Sequence, residues 1–87
     1  MRPLSPEQLL LVADEFCEFH RCQVRSFSAL VAAAVVPGAR LDGVWVHASV
    51  PTAAAALEET VVQLQPLDRH NTEFGALCRE VYLHWAT

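Results

Sequence analysis

The sequence predicts an all-α domain, a small bundle of about four helices with an extended loop between the second and the third. Three observations carry this. Apolar residues recur at helical spacing in separate stretches. Ser or Thr caps, two of them with a proline beside them, stand where those stretches begin. The one alternating stretch, Val44 to Ala48, has no second strand to pair with.

The first helix opens with SPEQ. Ser5 is a good N-cap, Pro6 suits the first helical position, and Gln8 completes a capping box. Leu9, Val12, Ala13, Phe16 and Phe19 follow as an apolar stripe, with Asp14, Glu15 and Glu18 on a solvated side, so the helix is placed at about residues 6–21. A shorter second helix follows a cap at Ser26 or Ser28 and stops at Pro37-Gly38. Its residues Ala29 to Val36 are apolar all round, which predicts a helix enclosed by its neighbours. The segment ARLDGVWVHASVP is turn-rich. Val44, Val46 and Ala48 alternate there with Trp45 and His47, so it is expected as a short strand or extended loop, and no sheet is expected from it.

The third helix is predicted from about Pro51 to Leu64 with a cap at Ser49 or Thr52. Its stripe is Ala54, Leu57, Val61 and Leu64, and its alanines allow close helix approach. In the fourth, Phe74, Leu77, Cys78, Val81, Tyr82 and Trp85 form one continuous apolar face, with Glu73, Arg79, Glu80 and His84 elsewhere on the surface. One domain spans residues 1–87, with no internal repeat.

Composition narrows the function classes. The chain has 87 residues, 53% of them hydrophobic and only 18% charged. A chain this short shields only about 60–65% of its unfolded surface, so part of an apolar face is expected to be covered by another protein or by a second copy. The net charge of −4, with all six basic residues arginine and no basic run, argues against direct nucleic-acid binding. Three cysteines without framework spacing argue against a disulfide-stapled secreted scaffold. No signal peptide is visible, and the run Ala29 to Val36 is far short of a membrane span. The chain reads as a soluble cytoplasmic domain.

The opening MRPLSPEQLLLVADEF, a helix introduced by VRSFSAL, an extended loop, and a helix leading through QPLDRHNTEF into the last helix resemble the Fic/Doc family. The likeness is to its Doc (death-on-curing) toxin branch, and it covers the whole chain in order and spacing. The family's signature is His-x-Phe-x-(Asp/Asn/Glu)-(Gly/Ala)-Asn-(Lys/Gly)-Arg. In that family the His is a general base, the acidic residue holds Mg²⁺, the small residue and Asn form an anion loop, and the terminal cations hold nucleotide phosphates. Free N–H groups at a helix start attract phosphate, and cations reinforce the field.

Laid on that pattern, the chain departs at nearly every chemical position. Gln65 stands where the base belongs, and an amide cannot take a proton. Leu67 keeps the apolar anchor, Arg69 replaces the metal-holding residue, and His70 replaces the small one. Asn71 alone matches a polar position, while Thr72 and Glu73 replace the two cations. Asp68 and Glu73 at a helix start favour the helix by roughly 0.3–1 kcal/mol each and repel phosphate. The resemblance also implies further helical structure after the motif helix. The sequence ends at Thr87, so the core is expected to lack a lid.

Single residues admit rival readings. His70 could act as a displaced base, against a solvent-facing cap residue, and the second is favoured. Cys17-x-x-His20-x-Cys22 invites a metal, with His47, His70, Cys78 or His84 as a fourth ligand. Cys17 falls on the apolar stripe, however, and neither a C-x-x-C pair nor paired-histidine spacing occurs, so no metal is assigned. Trp45 and Trp85 are interface candidates, Trp85 with core packing as an equal reading.

The resemblance thus implies a catalytically inactive Doc/Fic-like domain with a degenerate groove at Gln65, Leu67, Arg69, His70, Asn71 and Glu73. It would bind a protein partner, antitoxin-like or encoded next door, in a toxin–antitoxin-like setting, without cofactor. The alternative is an active kinase or nucleotidyl-transferase using ATP and Mg²⁺ through His70 and Asn71. A second alternative is a self-associating structural domain, a homo-oligomer.

Overall fold

The computed structural model describes residues 2–87, and over them the chain is an all-α domain with one small hairpin. Helix α1 spans Pro6–His20, and its capping box is formed. Ser5 Oγ accepts from the Gln8 N–H at 3.1 Å, and Gln8 Oε1 accepts from the Ser5 N–H at 2.8 Å. It ends where Arg21 turns left-handed at φ 56°, with the Cys22 N–H donating to the Cys17 carbonyl at 3.1 Å. That is a Schellman termination, made here without glycine.

Helix α2 spans Phe27–Val35, capped by Ser26 Oγ on the Ala29 N–H at 3.1 Å, and runs into a 3₁₀ turn at Val36–Gly38. The expectation of an enclosed helix is corrected. Ala29, Leu30, Ala33 and Ala34 are buried, but Phe27 and Val35 are exposed. Helices α1 and α3 cover α2 on one side only, and nine residues leave the other face to solvent.

The segment after α2 also departs from expectation. Strands β1 (Arg40–Leu41) and β2 (Val44–Trp45) pair antiparallel, with Arg40 opposite Trp45 and Leu41 opposite Val44. The missed signal was Asp42-Gly43. Both adopt positive φ (51° and 78°), the geometry of a two-residue primed turn whose twist matches the strands it joins. Val44 had a partner after all, Leu41, three residues earlier.

Helix α3 spans Val50–Leu64, capped by Ser49 Oγ on the Thr52 N–H at 3.3 Å, with Pro51 in its first turn. Helix α4 spans Asn71–Ala86. These two form the densest packing in the molecule. Ala53, Ala54, Leu57 and Val61 of α3 are fully buried, as are Phe74, Gly75, Cys78 and Tyr82 of α4. Gly75 sets the spacing, because a Cβ there would lie 3.1 Å from Val62 Cγ2 and 3.2 Å from the Glu58 carbonyl. Leu64 lies past the contact and is exposed.

The N-terminus is tied to this pair. Tyr82 donates its hydroxyl proton to the Arg2 carbonyl at 2.7 Å, and burial raises the phenol's pKa. The Arg2 guanidinium lies 4.3 Å over the Trp85 ring, so Trp85 is half-buried packing at the end of the core. No polar or charged residue is buried among the described residues, and none of their helices is long and apolar enough to cross a membrane.

Candidate functional site

The loop between α3 and α4 is held from both sides by hydrogen bonds. Helix α3 ends as Gln65 turns left-handed at φ 50°, which redirects the chain toward the α1–α2 connection. There the two loops run antiparallel with a bridge between Val24 and Leu67. The Pro66 carbonyl accepts from the Arg25 and Ser26 N–H groups at 2.7 and 3.0 Å. Asp68 N–H donates to the Gln23 carbonyl at 2.9 Å, and the Asp68 carboxylate accepts from the Gln23 N–H at 3.0 Å. Arg25 Nη2 donates to the Gln65 carbonyl at 2.6 Å.

Asn71 closes the loop on itself. Its Oδ1 accepts from the Leu67 N–H at 2.9 Å, and its Nδ2 donates to the Leu67 carbonyl at 3.0 Å. One side-chain amide therefore satisfies both polar groups of a residue that is itself buried, which is why this loop tolerates enclosure. Leu67 is the apolar anchor the sequence predicted.

His70 precedes α4 at φ 63°, in the left-handed region that a small residue adopts more easily, and its side chain makes no cap bond to the helix. The expected solvent-facing cap residue is thus corrected in part. The imidazole is half-buried, with its Nδ1 2.8 Å from the Glu73 carboxylate and its ring 5.6 Å from that of His20. The hydrogen bond from His70, helped by Glu73's own backbone N–H, holds the Glu73 carboxyl below its ordinary value of 4.5. Arg69 is exposed and only loosely paired with Asp68 at 3.8 Å, and Thr72 is exposed.

This arrangement holds a helix and a loop. The Asn71 amide is engaged by the Leu67 N–H and carbonyl, His70 faces a carboxylate, and Asp68 is bonded across to α1's trailing loop. The Arg69 cation is loosely held by the Asp68 carboxylate at 3.8 Å, with Glu73 a few residues away as a further carboxylate. Of the predicted residues, Leu67 and Asn71 meet directly, as do His70 and Glu73. Trp45 lies far along the sequence on the hairpin, with the Arg40 guanidinium 4.0 Å over its ring.

A second feature lies beside the loop. Between helices α1 and α4 lies an apolar groove of about 320 Å³ lined by Val12, Glu15, Phe16, Phe19, His20, Leu77 and Val81. Phe19, expected in the core, is 84% exposed. The buried stripe of α1 is Leu9, Ala13, Phe16 and Cys17, and at about 100° per residue Phe19 points roughly 110° away from that stripe's centre. Leu77 and Val81 of α4 likewise sit off the buried face, Leu77 at 39% exposure. An adjoining polar shelf carries Glu15, Glu18 and Arg21. His20 stacks on Phe16 at 4.1 Å and joins the groove to His70.

The Cys17, His20, Cys22 cluster separates in space. The two sulfurs touch at 3.3 Å in a buried contact, while His20 turns outward to the aromatic rings. Among the described residues no three His, Cys, Asp or Glu side chains gather as a metal cage would require. Apolar spacing alone does not show which residues of α1 and α4 face each other, so the groove is not readable from the sequence. The cross-brace was missed because its partners lie 40 or more residues apart. Comparison with models of known protein families, with curated proteins and with solved structures finds no match.

Proposed function

We propose that this chain is a Doc/Fic-like helical domain without transfer chemistry, which works by binding another protein in the groove between α1 and α4. The observation that carries the binding role is the groove itself. It presents Phe19 and Leu77 to solvent beside Val12 and Val81 on a chain that is 53% hydrophobic. Apolar surface gathered in a concave site, rather than scattered, is what partner recognition uses. The acidic rim of Glu15 and Glu18 favours an amphipathic segment that brings aromatic or aliphatic side chains flanked by Lys or Arg. In a toxin–antitoxin-like setting that segment belongs to an antitoxin-like partner encoded alongside.

The absence of catalysis is supported by how the loop spends its side chains. Gln65 offers no base, and Asn71 is consumed in clamping Leu67. Glu73 places a carboxylate at the start of α4, where phosphate would have to sit. Calorimetry of the full chain with ATP and Mg²⁺ is expected to show no binding. Tight binding abolished by Asn71→Ala or His70→Ala would contradict this reading. The partner role is tested by co-purification with mass spectrometry. The wild-type chain is expected to retain a stable partner, and Phe19→Asp with Leu77→Asp is expected to lose it while staying folded. A monodisperse monomer without partner contradicts the proposal, and a dimer that the same pair of substitutions dissolves replaces it with self-association.

A further inference from the structure

We propose that Cys17 and Cys22 form a modification site, a dithiol that closes to an internal disulfide by exchange with a small-molecule disulfide. Of the three cysteines only these two meet, their sulfurs 3.3 Å apart. A disulfide bond is about 2.05 Å long, so closure needs an approach of only about 1.2 Å. The backbone already holds the two residues in register, because the Cys22 N–H is bonded to the Cys17 carbonyl across the left-handed Arg21. An apolar contact between these two positions is usual in a Schellman ending. Here both contacting groups are thiols, and neither is sealed: they are 8% and 7% exposed, against 0% for Cys78.

The chemistry has a direction. Burial, then the contact with Cys22, pushes the Cys17 thiol up to about 12, so it is a poor first attacker. Cys22 lies outside α1, in the connection to α2, and is 7% exposed. Its thiolate attacks one sulfur of the small disulfide, forming a mixed disulfide and expelling one thiolate. Cys17 then loses its proton and attacks the Cys22 sulfur, forming the internal bond and expelling the second thiolate. The protein gives up two protons and two electrons, and the small disulfide takes them as two thiols. The second step is favoured because the attacking sulfur is already in place, so its effective concentration is high. The bridge spans Phe19 and His20 and would fix the end of α1 that carries both onto the groove. It does not depend on what the groove binds.

The test is equilibration of the full chain with defined mixtures of oxidised and reduced glutathione, followed by acid quench, mass spectrometry and peptide mapping. The free thiol count is expected to fall from three to one, with Cys78 the one remaining. Half-conversion is expected at an oxidised-to-reduced ratio at least about tenfold lower for the native chain than for the chain in urea, because the native fold pre-positions the pair. Cys78→Ala should keep the bridge and Cys22→Ala should abolish it. If Cys22→Ala unfolds, Cys17→Ala and the intact Cys78→Ala chain carry the same comparison. A native ratio no lower than that in urea, a persistent glutathione adduct, or bridges between chains would each overturn the proposal.

Discussion

The two flanks of α4 behave oppositely. On one side Phe74, Gly75, Cys78 and Tyr82 are buried, and Gly75 is small enough to let α3 close in. Toward α1, Leu77 and Val81 are one residue away on the same helix and face an open groove. Hydropathy does not separate the two flanks, since both are apolar. What separates them is the neighbour: α3 brings alanines at the contact, whereas α1 brings the bulk of Phe16 and then points Phe19 away. A closed flank holds the fold, and an open one is left over for something else.

That contrast can be broken most forcefully at Phe74, which contacts Phe16 at 5.3 Å between ring centroids. Phe74→Ala is expected to cost about 3–5 kcal/mol in chemical denaturation, whereas Leu77→Ala should cost under about 1 kcal/mol. Equal losses would mean that the groove flank is core. Asn71→Ala removes both bonds to the Leu67 peptide and is expected to cost about 1–3 kcal/mol, with loss of hydrogen-exchange protection at Leu67. No loss would mean that the clamp is incidental. Gln65→Gly relieves a left-handed residue whose side chain makes no hydrogen bond, and is expected to stabilise by up to about 1 kcal/mol.

The smallest effect concerns acid. Because the folded Glu73 pKa lies below its ordinary value of 4.5, the His70–Glu73 pair stabilises the fold above that pH. The contribution fades as pH falls through the folded value. In thermal melts, Glu73→Gln should therefore differ from wild type at neutral pH and converge with it in acid. A difference that grows in acid would reverse the assignment.

The helices were legible because their signals are local. Ser5 with Gln8 caps α1 as expected, and of the paired candidates Ser26 caps α2 and Ser49 caps α3. Asp42-Gly43 was equally local and was read only as a turn, which cost the hairpin. The loop 65–73 was legible in its apolar anchor, Leu67, which is buried. Its actual bonds to Gln23, Arg25 and Ser26 depend on where α1 and α3 end in space, which no short stretch encodes. The groove follows from the angle between α1 and α4 and from the rotation of Phe19 about α1, which apolar spacing alone leaves open.

The central claim, that the open flank of α4 is the binding surface, is tested most directly by comparing two surface variants in co-purification. One is Phe19→Asp with Leu77→Asp in the groove. The other is Val44→Asp with Trp45→Asp on the hairpin, a separate exposed apolar site. The account predicts that the groove variant loses its partner and the hairpin variant keeps it, both melting within a few degrees of wild type. Loss on the hairpin variant with retention on the groove variant would contradict it.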